Sequence, residues 1–513
     1  MTLPPPWSPT APDGPAPSLA ALLEQQARAW PQATALRWCD ADPGAPWAQL
    51  SYAGLARSAN AMAHTLATDH GVQEGDRVAW LGLNHPAQIA LLFALARLGA
   101  LLVPVNHRLS PAEWSALLQD CRPVKLLHDT PLADAARALA PDLALHVDGL
   151  PLNSRGTIND RGTHSHPALL VYTSGTTGTP KGAVHTQGNL LANMAIAAQV
   201  QRMGERDVVL TVLPLFHVGG LCIQTLPALS VGAQVLLHSR FDAGATLHSL
   251  RAHRPTLTLQ VPATLQALTA HSEWAGTDLA SLRAIWAGSS LLPASLIEVC
   301  HARGVPVCNV YGSTETGPFS IALPPEHAHS HLGTCGWPAP GVAVSLRHPD
   351  GAPVEAGEVG EVWVRAPNVV QRYWPDLPAC DADGFFHSGD LAQQAADGSF
   401  TVVGRAKDML ISGGENIYPA EIENLLVQHP LVLECAVVGQ DDARWGEAVV
   451  AVVVLREGAP ADWAAALQGF LDGRLARYKW PRRWQRVDAL PKTALGKVQK
   501  PAVKALLTRL GEA

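Results

Sequence analysis

The residues best suited to chemistry sit in one run, "VYTSGTTGTPKG", from Val171 to Gly182. Gly175 and Gly178 let the backbone turn its N–H groups onto an anion. Thr173, Ser174, Thr176, Thr177 and Thr179 add hydroxyl donors, and Lys181 adds a positive charge. The set suits a phosphate. An ATPase or kinase P-loop follows Gly-x-x-x-x-Gly-Lys-Ser/Thr. Counted from Gly175, the second glycine falls on Pro180, which has no N–H to offer. The hydroxyl after the lysine, a Mg²⁺ ligand in that motif, is replaced by Gly182. The run is therefore no Walker motif. It either holds phosphate for other chemistry or is a plain surface loop.

The surrounding elements predict an α/β fold. Short apolar runs such as "RVAWLGL", "ALLVPV", "ALLVYTSG", "DVVLTVLPL", "TLTLQVPA", "LRAIWAGSS" and "VPVCNVYGS" alternate with helical patterns, one of them from Pro86 to Leu98. This is the signature of buried, mostly parallel sheets. Ligands in such sheets bind beyond the carboxyl ends of strands, which places Ser174, Ser289, Ser290 and Ser313 at one candidate crevice. Past about Leu332 the texture changes to alternating runs with turns at Asp350-Gly351 and Ala356-Gly357, which predict antiparallel hairpins. "DGSFTVVGR" adds a strand. A smaller α/β unit follows, with helices from Pro419 to about Gln428 and from Asp462 to Arg477, and strands at "ECAVVGQ" and "AVVAVVVL". The expected domains are 1–406, with a β-rich part at 333–405, and 407–513. The polar segment 151–166 reads as a surface loop.

Composition narrows the function. The chain has 513 residues, 47% hydrophobic and 16% charged, with net charge −7, so no basic field points to nucleic acid. The histidines are scattered, with no HExxH or HxxEH spacing. Of eight cysteines the closest pair is Cys300 and Cys308, which excludes a CxxC metal or redox motif. Reduced, buried thiols fit a reducing, cytoplasmic compartment. The proline-rich start lacks the basic and apolar regions of a secretory signal. The longest apolar stretch, from Ile89, carries Arg97 and reads as helix then strand rather than a membrane span.

"YTSGTTGTPKG" resembles the phosphate loop of the adenylate-forming superfamily. Five more segments resemble that superfamily's motifs in order: "PLFHVGG" (Pro214 to Gly220), "YGSTET" (Tyr311 to Thr316), "DGFFHSGDLA" (Asp383 to Ala392), "GRAKDMLISGGENIYPAEIE" (Gly404 to Glu423) and "PKTALGKVQK" (Pro491 to Lys500). The resemblance runs from about residue 20 to the end. It implies a large domain and a mobile C-terminal lid. It implies that Glu315 holds Mg²⁺ and Thr314 touches the α-phosphate of ATP, beside Tyr311 and Gly312. A carboxylate near a triphosphate needs a cation between them. Asp390 and Arg405 would hold the ribose, with Ser388 where threonine is more usual. Gly288, Ser289 and Ser290 would lie against adenine, although Leu291 replaces the family's proline. Lys497 would bridge the substrate carboxylate and the α-phosphate, offsetting their repulsion. Lys407 matches the hinge. Gly413 and Gly414 match the passage for the pantetheine arm, or form a simple turn.

The implied activity is that of an acyl-CoA synthetase using ATP, Mg²⁺ and CoA. The rival is a stand-alone adenylation enzyme that loads a carrier protein. The resemblance implies that the acyl pocket is lined by His217, Val218, Gly219, Gly220, Trp286, Ala287, Gly312, Gly317, Pro318 and Phe319. This lining has no arginine for a second carboxylate. Gly219 and Gly220 are expected to open space, and Trp286 either narrows the pocket or packs the core. A fatty acid of medium or long chain, or an aromatic acid, is expected, as in fatty-acyl-, feruloyl- and succinylbenzoate-CoA ligases. The expected partners are small molecules, with a homodimer compatible with them.

Overall fold

The computed structural model describes residues 16–39, 47–150, 156–173, 180–288, 292–412, 415–442, 445–493 and 497–511. Strands that are apolar on both faces must be covered on both sides. Leu101–Val105, Leu257–Gln260 and Ala284–Ala287 are buried at every position. They belong to two large sheets. The nine-stranded sheet has a parallel centre of Val307–Tyr311, Ala284–Ala287, Leu257–Gln260, Val208–Thr211, Gln234–His238 and Thr34–Cys39, with antiparallel strands at its edges. The eight-stranded sheet has a parallel part of Pro167–Thr173, Leu101–Val105, Arg77–Leu81, Lys125–His128 and Ala144–His146. One core cluster joins both sheets to the helices Tyr52–Thr68, Pro86–Leu98 and Gln187–Gln201. Every residue of Pro86–Leu98 is buried, which explains why that sequence is apolar on nearly every side, with Gln88 and Arg97 hydrogen-bonded to backbone carbonyls.

The phosphate run departs from a P-loop in topology as well as sequence. A P-loop leads from a strand into a helix. Here Pro167–Thr173 and Lys181–Thr186 form an antiparallel pair with Thr173 opposite Lys181. A strand, Lys181–Thr186, therefore stands where a P-loop would begin its helix.

A four-stranded antiparallel sheet of Ala343–Arg347, Val359–Arg365, Phe386–Gln394 and Phe400–Arg405 follows, as the turn signals predicted. The C-terminal part has its own sheet, including Val432–Asp442 and Gly446–Leu455, with an apolar cluster on each face. Those clusters share no residue with the cores of the larger sheets. The helix expected to reach Arg477 is instead Trp463–Leu471. Asp472 is extended and Gly473 has φ +69°, which ends it. A strand unforeseen from sequence, Arg483–Arg486, runs parallel to Gly446–Leu455. Its charged residues hid it.

The segment after "PLFH" carries a local irregularity. Val218–Gly220 begins a helix, Leu221–Thr225 is a π turn, and Leu226–Ser230 continues. Pro227 has no N–H to give to the Ile223 carbonyl. Side chains from Gln187–Gln201 replace backbone donors: Gln201 Nε2 donates to Ile223 O at 2.7 Å, and Asn193 Nδ2 to Cys222 O at 2.7 Å. Such turns recur at functional sites. Burial pushes the Cys222 thiol up to about 12, so it packs as a neutral group. No helix among the described residues is long and apolar enough to cross a membrane.

Asn193→Ala or Gln201→Ala should each cost about 1–3 kcal/mol, because a buried carbonyl is left unpaired. Denaturant unfolding of the two variants measures this.

Candidate active site

The strand Val307–Tyr311 ends at a phenol that reaches the antiparallel sheet. Tyr311 donates its O–H to Asp390 Oδ2 at 2.9 Å. Arg405 Nε lies 2.6 Å from Asp390 Oδ1, and the two residues face each other across the Phe386–Gln394 and Phe400–Arg405 strands. Asp390 is buried, and that burial raises its carboxyl above the usual range, opposed by Arg405 and by the Tyr311 hydrogen bond. A buried, oriented carboxylate of this kind suits a pair of hydroxyls.

The next turn brings Glu315 alongside. Thr314–Thr316 is a short 3-10 helix, and the Ser313 N–H donates to Thr316 Oγ1 at 2.9 Å. Asn368 Nδ2 donates to Thr316 O at 2.8 Å and to Phe319 O at 3.1 Å. Gly312 and Gly317 let this turn close. A Cβ on Gly312 would lie 1.7 Å from Pro318 O, and Gly317 has φ +96° with Asn368 within 3.0 Å of an added Cβ.

Glu315 Oε1 accepts a hydrogen bond from Tyr373 at 2.9 Å. Sequence reading missed Tyr373. It lies on a two-residue strand, Arg372–Tyr373, too short to announce itself, although the aromatic-rich "RYW" beside Pro375 was a signal. Tyr373 pairs with Ala183 on the phosphate hairpin, and Lys181 Nζ sits 5.3 Å from its ring centre. Lys181, Tyr373 and Glu315 thus form one connected edge. No group of three or more His, Cys, Asp or Glu among the described residues could cage a metal. One oriented carboxylate fits Mg²⁺, which takes its other ligands from substrate phosphates and water.

Lys497 arrives from the C-terminal part. Its backbone closes a tight turn with Thr493: Thr493 N–H donates to Lys497 O at 2.8 Å, and Lys497 N–H to Thr493 Oγ1 at 3.2 Å. The lysine keeps solvent contact, yet surrounding protein desolvates its ammonium and lowers its pKa. Arg405 adds to that lowering, while Asp390 and Asp408 oppose it. Desolvation pushes the His217 imidazole down to about 4, and Lys497 contributes. His217 Nδ1 accepts the Gly219 N–H at 3.0 Å, so the neutral ring carries its proton on Nε2. Lys497, Asp390, Arg405 and His217 therefore share one electrostatic environment. Lys407 is exposed in the turn Ala406–Asp408, between the two sheets it was expected to separate.

Trp286, Phe319, Val218, Gly219, Gly220 and Pro318 are buried. Strand alternation and register place Trp286 on the same face as Leu259 and Thr211. Thr211 Oγ1 is 3.0 Å from Thr225 Oγ1, so this face meets the π turn. A Cβ on Gly288 would lie 3.0 Å from Val310 Cγ1 and 3.8 Å from Ile223 Cδ1. The ring of Phe319 is 5.9 Å from that of Trp286. Two expectations need correction. Gly220 does not open space, since a Cβ there would lie 2.3 Å from Pro214 O. Ala287 faces away from Trp286, in register with Gln260. Ser174, Gly175, Thr176, Thr177, Gly178, Ser289, Ser290, Gly413 and Gly414 lie outside the described residues.

Residues 23–374 match the family described as AMP-binding enzyme, and residues 421–497 match its C-terminal domain. The chain belongs to this AMP-binding family. It is 44% identical over 510 residues to an indoleacetate–CoA ligase of Aromatoleum aromaticum, covering 96% of this chain and 98% of that one. It is 41% identical over 488 residues to a feruloyl-CoA synthase of Amycolatopsis, covering 94% and 97%. An o-succinylbenzoate CoA synthetase of Bacillus subtilis, solved with its acyl-adenylate intermediate, superposes with TM-score 0.85 at 32% identity over 96% of this chain and 98% of that one. The same enzyme has also been solved with ATP and a magnesium ion. The protein is an ATP-, Mg²⁺- and CoA-dependent carboxylic acid–CoA ligase of the adenylate-forming superfamily.

Tyr373→Phe should lower kcat/KM of this ligase for MgATP by roughly 10- to 100-fold, the worth of a hydrogen bond to a charged group. Pyrophosphate-release kinetics check it, with an unchanged melting temperature. A second outcome concerns acid. His217 has a folded pKa of about 4 against an ordinary 6.5. The unfolded chain therefore takes up the proton first, so this residue's contribution is whole above pH 6.5 and is lost as pH falls toward about 4. His185, likewise about 4 through burial, acts in the same direction. Unfolding free energy measured from pH 7 to 4 should decline across that window, less steeply in His185→Leu.

Proposed function

We propose that this ligase activates an aromatic monocarboxylic acid. The observation that carries the assignment of roles is Lys497, brought from the C-terminal part into the environment of His217, Asp390 and Arg405. Trp286 and Phe319 form an aromatic wall, and no cationic side chain is among the residues assigned to the acyl group. Relatives named for indoleacetate and ferulate support the same class.

In the first step a carboxylate oxygen bonds to the α-phosphorus of ATP, and the bond to the β-phosphate oxygen breaks to release pyrophosphate. Asp390 and Arg405 orient the ribose. Thr314, Lys181 and the loop at 173–181 steady the phosphates. Lys497 lies between the two anions, where charge develops. Mg²⁺, when bound at Glu315, neutralises phosphate charge. In the second step the CoA thiol releases its proton to solvent, its sulfur bonds to the acyl carbon, and the bond from that carbon to the AMP phosphate oxygen breaks, so AMP leaves. The C-terminal domain, residues 407–513, turns about Lys407 between the steps. That withdraws Lys497 and brings the Gly413–Gly414 segment to the thiol. The enzyme works in the cytoplasm, and a homodimer belongs to this reading.

A panel of aromatic and aliphatic acids, scored for pyrophosphate release and for thioester formed with CoA or with a carrier protein, tests the class. Preference for aliphatic acids, or transfer only to the carrier protein, would overturn it. Lys497→Ala should lower adenylation by roughly 100-fold or more while sparing thioester formation from supplied acyl-AMP. Equal loss in both half-reactions would contradict the exchange.

A further inference from the structure

Asn368 is fully buried, and its amide oxygen Oδ1 has no hydrogen-bond partner among the described residues. An unpaired buried carbonyl costs stability. The other end of the same amide is fully engaged. Nδ2 donates to Thr316 O at 2.8 Å and to Phe319 O at 3.1 Å, one on each side of Gly317. Carbonyls accept only from donors, so these two partners fix which way the amide points. Asn193 Oδ1 lies 3.5 Å from the same nitrogen, at the long limit of a hydrogen bond. Asn368 therefore holds the turn that carries Glu315 while leaving its own oxygen unpaired.

The segment around Asn368 is itself held from two directions. Asn189 Nδ2 donates to Pro367 O at 2.8 Å and to Val369 O at 3.0 Å. Asn189 Oδ1 in turn accepts the Thr186 N–H at 3.0 Å. Thr186 ends the strand that begins at Lys181. From the other direction, the Val370 N–H donates to Glu315 O at 2.8 Å. A continuous hydrogen-bonded path thus runs from the Lys181 strand, through Asn189 and residues 367–370, to Glu315. Its two ends carry the groups assigned above to the triphosphate and to its metal.

We infer that Asn368 is a positioning residue for the metal-bound nucleotide: by pinning Thr316 O and Phe319 O it sets the Glu315 carboxylate in place relative to Lys181. Being fully buried, it acts through the turn and not on the ligand. Aspartate has nearly the same shape but would set a carboxylate oxygen against two carbonyls. This rests on the reading of Glu315 as the Mg²⁺ carboxylate and extends it to the residue behind.

Calorimetric titration of the full-length enzyme with the Mg²⁺ complex of α,β-methylene-ATP measures binding without turnover. Asn368→Ala and Asn368→Asp should each weaken that complex by roughly tenfold, the effect of losing a partner behind a metal ligand. Binding of AMP, which needs no metal, should be nearly unchanged. Glu315→Gln is the comparator. If it weakens the Mg²⁺ complex and the Asn368 variants do not, the inference falls and the metal reading stands. If Glu315→Gln has no effect, both fall. Equal weakening of AMP and of the Mg²⁺ complex in the Asn368 variants marks a purely structural residue and overturns the inference. Should neither variant fold, amide exchange in the wild type decides. The Val370 N–H should exchange more slowly with the Mg²⁺ complex bound than with AMP bound, and equal rates overturn the inference.

Discussion

Joining a carboxylate to a triphosphate forces two anions together, and the arrangement of this chain follows from that repulsion. With a net charge of −7 the protein has no overall field to help. The cations must be delivered locally, and the proposed ones come from three places far apart in sequence. Lys181 leaves the phosphate hairpin, Arg405 ends the antiparallel sheet, and Lys497 comes from the separate C-terminal core. Each is held near an acidic or aromatic group that limits its freedom. Lys181 stands over Tyr373, Arg405 pairs with Asp390, and Lys497 faces Asp390 and Asp408.

The acyl side obeys an opposite constraint. It must be dry, and the two-sheet architecture makes it so by burying helices between layers. The cost of that burial is that every backbone carbonyl needs a partner. Pro227 breaks the helix pattern where the proposed acyl wall begins, and Asn193 and Gln201 make good the missing donors. That backbone irregularity is held by polar side chains from a neighbouring helix.

Much of this was legible in the residues. Parallel strands announce themselves as short apolar runs, so the sheets and the Pro86–Leu98 helix were read nearly as they stand. Asp390, Arg405, Glu315 and Lys497 stand in motifs, and the fold gathers them around one region. What escaped depends on pairing between distant segments. Tyr373 acquires meaning only because a two-residue strand lays it beside the phosphate hairpin. Which of the two faces, that of Trp286 or that of Ala287, meets the π turn depends on distant segments, which one strand's sequence does not contain. A glycine at 220 suggests an opening in sequence, but the Pro214 carbonyl lies against it in the fold. The helix meant to reach Arg477 stopped at a glycine in the left-handed region.

Arg405 ties two of these themes together. Its side chain grips Asp390, while its backbone carbonyl accepts the N–H of Met409 at 3.1 Å, across the turn that contains Lys407. One residue is therefore clamped at both ends, by the carboxylate and by the joint. In the domain rotation proposed above, a ligand that tightens the Asp390–Arg405 clamp would bias the angle of the joint. By thermodynamic reciprocity the angle of the joint alters how tightly that ligand is held. On that proposal, retention of the spent nucleotide and the attitude of the small domain are one equilibrium viewed from two sides.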